Sequence, residues 1–363
     1  MNSWMKGKLS LIYLFWALII LIIGLLLIEQ TKFVQPTAYY TEQIQAAQLM
    51  KNSLEAIKKE RLKRAILVDV ELDPNQTGII GEEYTQLTTT LGNLEAKRTS
   101  SNPAFAALLV KYFKEANLKK GEAIAIGASG SFPALIVATL SAVKALELEP
   151  LLIYSIGSSE YGANIPEFTF ALMLDSLNKR NILPYHLLAI SMGGYLDQAQ
   201  GMFYPDSREI IEKIVQDSGT HFINLDNIEE NIQYRLQLYK KAAVGRPIKA
   251  FVNIGGATPN YSNTAASITY PNGLVIDGPK IPDHPERGLI FEYQNLGVPI
   301  VHLLNIRDLA VKNGLPIDPI PLPEIGEGGV YWQVVYKKAI TVMVIGIEFL
   351  YLFWALKNKH KFL

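Results

Sequence analysis

Short apolar runs alternate with amphipathic stretches of helical length through the middle of the chain. In the stretch 103–118, for example, Phe105, Leu109 and Phe113 recur at helical spacing. Near-continuous apolar runs separated by helices are typical of parallel strands that are buried on both faces. The pattern therefore predicts one α/β domain over residues 62–313, doubly wound, with a mostly parallel sheet and helices on both faces.

The individual strands and helices of this domain follow from the same pattern. The apolar runs predicted as strands are AILVDV (65–70), AIAIG (123–127), PLLIYSIG (150–157), LLAISMGG (187–194), HFINL (221–225), KAFVNIGG (249–256) and VPIVHLL (298–304). The stretches predicted as helices are 103–118, 133–146, 167–179, 206–217 and 227–243.

The two longest apolar segments lie near the ends of the chain. Residues 9–28 contain no charged side chain, and residues 339–356 contain one, Glu348. Twenty residues of α-helix span about 30 Å, the thickness of the hydrocarbon core of a bilayer. The first segment is too long for the apolar part of a signal peptide, and no small-x-small cleavage pattern follows it. We therefore expect transmembrane helices at 9–28 and 339–356.

Lysines beside these segments predict the orientation of the chain. Positive flanks favour the cytoplasm, and the terminal tails 1–8 and 357–363 carry more lysines than the domain-side flanks do. The lysines of the tails are Lys6, Lys8, Lys357, Lys359 and Lys361, and those of the domain side are Lys32, Lys337 and Lys338. Both termini are therefore expected in the cytoplasm and the main domain outside the cell membrane, with a cytoplasmic domain as the alternative.

Two further segments connect the predicted membrane helices to the domain. Residues 29–61 combine alanine and scattered aliphatic residues with polar ones, which predicts a stalk that becomes a helix. Residues 314–336 are rich in proline and glycine, which is typical of a semi-extended linker.

Glu348 lies near the middle of the second apolar segment. A carboxylate at that depth costs a few kcal/mol even on lenient insertion scales, so it is expected to be protonated, paired or turned toward protein. One interpretation is a contact with another membrane subunit, and the other is a protonated carboxyl bonded to its own helix or to the first one. Unchanged co-purification of membrane partners with a Glu348→Gln protein would count against the first.

Composition excludes several classes of function. Basic and acidic side chains number 34 each, so no surplus of positive charge points to nucleic acid as a partner. The chain has no cysteine, which excludes disulfides, thiolate metal sites and thiol catalysis. It has no dinucleotide, phosphate-loop or zinc-protease motif either, so no cofactor and no metal are expected. Asp69, Glu71 and Asp73 alternate near a predicted strand end, but solvated carboxylates are favoured there over a cation site.

Small residues follow four of the predicted strands. In a parallel sheet the turns after the strands meet at the carboxyl edge, where open α/β folds bind their ligands. Glycine lets a ligand approach the backbone, and the helix N-termini that follow favour anionic groups. The predicted ligand-binding residues are Gly127, Ser129, Gly130, Ser131, Gly157, Ser158, Ser159, Gly193, Gly194, Gly255 and Gly256. The alternative is that these are ordinary residues of strand-to-helix turns.

The turn after AIAIG resembles a nucleophile elbow. That motif reads G-x-S-x-G between a strand and a helix, and here Gly127 and Ser129 fit it while Ser131 replaces the last glycine. A nucleophilic Ser129 needs a base, and His284, beside Asp283 in a polar loop, is the best candidate in the sequence. An anion-binding turn and a purely structural turn remain as alternatives.

Four stretches carry a resemblance to a known family. They are LDPNQTGIIGEEYT (72–85), LTTTLGNLEAKRTS (87–100), IGASGSFPAL (126–135) and SIGSSEYGAN (155–164). With them the chain resembles the bacterial poly-γ-glutamate system protein family over nearly its whole length, both apolar ends included. The resemblance implies an accessory membrane component of poly-γ-glutamate synthesis or export that works beside a ligase and other membrane proteins. It implies no established reaction, so it supplies no catalytic residues.

A polyanionic ligand of this kind suits the predicted sheet edge. Lys97 and Arg98 lie in one of the resembling stretches, and both side chain types pair well with carboxylates. Three hypotheses follow: an accessory component that binds the polymer or partner subunits, a serine-dependent amide hydrolase or transferase that acts on the polymer, and a tethered module that binds small anions.

Overall fold

A computed structural model of the chain describes residue 9 and residues 11–262 and 264–358. The chain divides into two units, one formed by Met1–Thr37 and Trp332–Leu363 and the other by Ala38–Tyr331. Among the tail residues considered above, Lys6, Lys8, Lys359 and Lys361 lie outside the described residues.

The described residues form thirteen α-helices and eleven strands. The helices are α1 (Leu11–Gln30), α2 (Tyr40–Lys63), α3 (Leu94–Ser100), α4 (Ala104–Glu115), α5 (Pro133–Ala145), α6 (Phe170–Lys179), α7 (Ser207–Ser218), α8 (Ile228–Ala242), α9 (Thr258–Tyr261), α10 (Ala265–Ile268), α11 (Gly288–Asn295), α12 (Ile306–Lys312) and α13 (Lys338–Asn358). The strands are β1 (Phe33–Pro36), β2 (Thr88–Thr90), β3 (Ala123–Ser129), β4 (Glu149–Ser155), β5 (Ser158–Ser159), β6 (Leu187–Ser191), β7 (Phe222–Ile223), β8 (Ile248–Ile254), β9 (Gly273–Val275), β10 (Ile300–Leu303) and β11 (Trp332–Val335).

The terminal unit contains the two longest apolar helices, α1 and α13, and an antiparallel pair of strands, β1 and β11. Both helices are long and apolar enough to cross a membrane by length and composition. They pack on each other where Gly24 faces Val344 and where the rings of Tyr13 and Trp354 meet edge to face, with centroids 5.9 Å apart. Glycine at position 24 permits this close approach, because a Cβ there would collide with Val344.

A mostly parallel sheet of seven strands forms the centre of the larger unit. The strand order is β7-β6-β4-β3-β8-β10-β9, and all neighbours are parallel except β9 and β10. Among the parallel strands, chain order runs outward from β3 in one direction and from β8 in the other, so it reverses between these two strands.

Side chains alternate along a strand, so the two faces of this sheet pack against two different hydrophobic clusters. In β3, Ile124 and Ile126 belong to a cluster that includes residues of α2, α4, α5 and α6. Ala125 belongs to the second cluster, which includes residues of α8 and α11. This double burial explains why the central strands read as continuous apolar runs.

The predicted strand at 65–70 is not a strand in the structure. Two of its apolar side chains, Leu67 and Val70, are 78% and 59% exposed. Asp69 accepts the backbone N–H of Glu71 at 2.7 Å, and the Asp73 N–H reaches the Asp69 carbonyl at 2.8 Å. These bonds close a turn, and such local side-chain bonds compete with strand pairing.

The two connecting segments pack on the large unit more than the sequence predicts. In 29–61, the predicted helix is present as α2, and it belongs to the main core, where Ala46, Met50 and Ile57 are fully buried. In 314–336, Leu315 and Tyr331 are buried in the same cluster. This second segment therefore follows the surface of the domain up to residue 331.

Candidate functional site

A cavity of about 590 Å³ opens at the carboxyl edge of the sheet. Residues at or just after the ends of β3, β4, β6, β8 and β10 line it, and the small β2–β5 sheet closes one side. Of the predicted ligand-binding residues, those that line the cavity are Lys97, Ser129, Ser131, Gly157, Ser159, Gly193, Gly194 and Gly256. The structure therefore brings together turns from four strands that are far apart in sequence.

Glycine is required where two of these turns touch. Gly193 has a φ of +79°, and a Cβ on it would lie 2.6 Å from the Gly157 nitrogen. A Cβ on Gly157 would lie 2.8 Å from the Gly194 nitrogen. These glycines thus allow the turns after β4 and β6 to meet beside the cavity.

Lys97 is the basic side chain of the cavity. It lies on the short helix α3, which Asn93 caps by accepting the Ala96 N–H at 2.8 Å. The lysine is only 2% exposed, and its Nζ donates to the Ser131 carbonyl and, at 2.7 Å, to Ser159 Oγ. Nζ also lies 4.2 Å from the centre of the Phe132 ring. Three groups thus hold the amino group at the wall of the cavity.

Burial changes the acidity of this amino group. Desolvation disfavours the ammonium form and lowers the pKa of Lys97 to about 7, against an opposing effect of the Glu160 carboxylate. Among the described residues no carboxylate forms an ion pair with Lys97. The Glu160 carboxylate instead accepts the Gly92 N–H at 2.7 Å. The cavity therefore offers a buried amino group without a counter-ion.

The serines around Lys97 are ordered by hydrogen bonds. The Ser159 N–H donates to Ser131 Oγ at 3.0 Å, which links β5 to the turn after β3. Ser129 Oγ accepts the Ser131 N–H at 3.4 Å, a long bond. Ser158 Oγ donates to the Ser159 carbonyl at 2.8 Å and does not line the cavity. Ser159 is therefore the serine whose hydroxyl contacts the buried amino group.

The other predicted ligand-binding residues lie behind the cavity or away from it. A Cβ on Gly127 would meet the Asn260 side chain at 2.5 Å, and a Cβ on Gly130 would meet the Ile156 carbonyl at 2.5 Å, so both glycines serve packing. Gly255 has a φ of +80° and approaches Ser129 Oγ. Arg98 forms an ion pair with Asp318 and does not line the cavity.

The predicted pairing of Ser129 with His284 is not present. His284 lies on an exposed loop, where its Nδ1 accepts the Glu286 N–H at 3.1 Å, and it does not line the cavity. His302 is buried elsewhere, stacked on Tyr261, and its burial lowers its pKa to about 4. The prediction failed because a loop histidine beside a carboxylate carries no information about its position relative to the sheet edge.

A buried ion pair that the sequence did not reveal supports the turn after β6. Asp197 and Arg235 are joined at 2.7 Å, and both side chains are fully buried. Asp197 also accepts the Gly193 N–H and Ser191 Oγ–H, both at 2.8 Å, and Arg235 reaches Ser191 Oγ at 2.7 Å. The Ser191 hydroxyl in turn contacts Ser155, which lines the cavity, at 2.8 Å. This network fixes one wall of the cavity from behind.

Glu348 lies on α13 in the terminal unit. Its Oε2 atom is buried and has no hydrogen-bond partner among the described residues. Its contact with a membrane partner stays a prediction.

The described residues contain no cluster of three or more His, Asp or Glu side chains that could hold a metal ion. Asp73, one of the three carboxylates considered above, accepts the Gly78 N–H at 2.7 Å and the Thr77 hydroxyl at 3.0 Å. Its oxygens therefore stabilise a turn.

Comparison with known proteins finds no matching family model, no matching curated protein and no matching solved structure. The function is therefore inferred from the geometry of the cavity and from the resemblance described above.

Proposed function

We propose that this protein is a membrane-anchored accessory component of poly-γ-glutamate synthesis or export, and that its cavity binds carboxylate groups of the polymer. The observation that carries the proposal is Lys97, a buried amino group at the cavity wall with no carboxylate paired to it among the described residues. A carboxylate that entered the cavity would supply the missing counter-ion. Charge-assisted hydrogen bonds of this kind are among the strong ones in proteins.

The fold supports a ligand at this place. We propose that the sheet is doubly wound, because chain order reverses between β3 and β8 and each strand face is buried by its own set of helices. Doubly wound sheets bind ligands outside the carboxyl ends of the strands at such a reversal. Ser129 ends β3, Gly256 follows β8, and both line the cavity.

The size and charge of the cavity limit what it holds. Its volume of about 590 Å³ suits a short segment or an end of a polymer, since sites for small molecules range from about 300 to 1,000 Å³. The chain has no formal net charge, so attraction of a polyanion must be local and short in range. We therefore expect specificity for the polymer to come from direct contacts inside the cavity, and not from long-range electrostatic attraction.

Binding of γ-glutamate oligomers to the full-length protein in lipid nanodiscs tests the proposal. We expect saturable binding of short γ-linked oligomers and weaker binding of free glutamate, because an oligomer also contacts the turns of the cavity wall. Equal affinity for glutamate and oligomers would favour the small-anion module. Absence of binding by either would contradict the proposal.

The two apolar helices support a membrane location. We propose that α1 and α13 span the cell membrane, with both termini in the cytoplasm and the large unit outside, as the lysine distribution favours. Protease added to intact spheroplasts is then expected to degrade the large unit while a cytoplasmic control protein survives. A reporter inserted at the exposed turn around Gly245 that behaves as a cytoplasmic reporter would reverse the orientation.

A further inference from the structure

We propose that Ser159 and Lys97 form a nucleophile and general-base pair that cleaves an amide bond of a chain bound in the cavity. This inference rests on the proposed function, since it uses the same cavity and the same class of ligand. It replaces Ser129, the serine that the sequence motif favours, by a serine that the structure places against a base.

The geometry meets the first requirement for such a pair. Ser159 Oγ and Lys97 Nζ lie 2.7 Å apart, within the distance over which a base removes a proton from a nucleophile. Both side chains line the cavity, so a substrate carbonyl there can reach the hydroxyl. Within the part of the chain that the structure describes, Ser129 has no such partner, because its hydroxyl makes only the long bond with the Ser131 N–H.

Each member of the pair is held in place by other groups. The Ser159 N–H is anchored on Ser131 Oγ at 3.0 Å, and the amino group of Lys97 is anchored on the Ser131 carbonyl and over the Phe132 ring. Fixed positions of this kind are what an intramolecular proton transfer requires.

The surroundings of an unpaired Lys97 favour the free amine, which is the form that acts as a base. A carboxylate paired with Lys97 favours the ammonium form instead, so cleavage requires a chain that places an amide, and not a carboxylate, against the pair. Desolvation lowers the pKa of Lys97 to about 7, so the neutral amine is well populated near neutral pH. Glu160 is the carboxylate that opposes this shift. Charged side chains on the same helix are engaged elsewhere, in ion pairs that join Glu95 to Arg307 and Arg98 to Asp318.

Backbone N–H groups without an acceptor among the described residues border the same cavity. The N–H groups of Phe132, Gly256 and Thr258 donate to no acceptor among the described residues. All three residues line the cavity. Backbone donors of this kind stabilise the oxyanion of an acyl-transfer reaction when they face it.

The reaction balances with water as the co-reactant. Ser159 Oγ bonds to the carbonyl carbon while its proton moves to Lys97 Nζ, and the carbon–nitrogen bond then breaks as Lys97 returns that proton to the leaving amine. Water next attacks the ester on Ser159 and gives one proton to Lys97. The carbon–oxygen bond to Ser159 breaks, the serine hydroxyl recovers that proton, and the product is a carboxylic acid. An amide and water thus become an acid and an amine, with no oxidant or reductant.

Covalent labelling of the full-length protein in nanodiscs with a fluorophosphonate, followed by mass spectrometry of the peptides, tests the pair. We expect the label on Ser159, at a rate that rises with pH through about 7 because Lys97 must lose its proton to act. Ser159→Ala and Lys97→Met should both lose the label. Ser218→Ala is the control at an exposed serine of α7 outside the cavity, and it should keep the label and the pH profile.

Binding of γ-glutamate oligomers to each variant separates the possible results. Ser159→Ala should still bind oligomers, which shows that the variant is folded and that Lys97 remains available. An unlabelled wild-type protein that binds oligomers would overturn the catalytic pair and leave the proposed function standing. A label on another serine would also overturn the pair. So would a labelling rate that changes neither with pH nor in Lys97→Met. A wild-type protein that binds no oligomer would overturn the proposed function itself.

Discussion

Replacement of Lys97 by methionine should weaken binding of γ-glutamate oligomers by a factor on the order of 10 to 100, the amount expected when a hydrogen bond to a charged group is lost. The methionine side chain has nearly the length of lysine and removes only the amino group. The Ser131 carbonyl and Ser159 hydroxyl that contact this amino group border an open cavity, where water can replace it. The measurement is calorimetric titration of the full-length protein in nanodiscs.

Two further measurements serve as controls for the effect of Lys97→Met on binding: the pH dependence of affinity and a substitution of a surface lysine. The ammonium form of Lys97 pairs with a carboxylate, so affinity should fall as pH rises above the lowered pKa of about 7. Lys119 is exposed on the surface, and Lys119→Met should change neither the affinity nor its pH dependence. Wild-type affinity in Lys97→Met would show that the ligand binds elsewhere.

Replacement of Asp197 by asparagine should lower the free energy of unfolding by about 3 to 5 kcal/mol, because it leaves a buried charge without its partner. Arg235 and Asp197 are fully buried and joined at 2.7 Å, so the guanidinium has no access to water once the carboxylate is gone. The Gly193 N–H loses its charged acceptor at the same time, which loosens the turn beside the cavity. This is the largest effect on stability that we expect from one polar substitution.

Denaturant unfolding of the full-length protein, followed by far-ultraviolet circular dichroism, measures this loss. Tryptophan fluorescence is unsuitable for the large unit, because residues 38–331, which form it, contain no tryptophan. The exposed ion pair of Lys120 with Glu147 provides the control, and Lys120→Met should cost less than about 1 kcal/mol.

A second variant tests the interpretation of this loss. Adding Arg235→Met to Asp197→Asn removes the guanidinium charge that lost its partner. The double variant should recover part of the stability, since the effects of substitutions at contacting residues are not additive. Equal losses in Asp197→Asn and Lys120→Met would show that the buried pair contributes little.

The sequence predicted most of the sheet correctly, and the reason is burial. Six of the seven predicted strands occur in the structure, as β3, β4, β6, β7, β8 and β10. Strands covered on both faces must be apolar throughout, and that signal is visible in one sequence. The segment 65–70 has a similar apolar composition, but among the described residues it pairs with no strand. The turn closed by Asp69 determines its structure instead.

The site was only partly predictable, because its decisive contacts join distant parts of the chain. Glycine and serine after the strands meet at one edge, as strand ends do in any parallel sheet, and ligand binding there stays a prediction. Lys97 and Arg98 looked alike in sequence. In the structure Arg98 is paired with Asp318 outside the cavity, while Lys97 is buried against Ser159. No local pattern distinguishes these two outcomes.

The ionisation of Lys97 tests the central claim most directly. With ¹³C-labelled lysine in the full-length protein, and the Lys97 signal assigned by its loss in Lys97→Met, nuclear magnetic resonance can follow its titration with and without γ-glutamate oligomers. We expect a pKa of about 7 in the free protein and a clear rise when the oligomer binds, because a bound carboxylate stabilises the ammonium form. A Lys97 signal that titrates identically with and without a saturating oligomer would contradict the assignment of this cavity as the carboxylate-binding site.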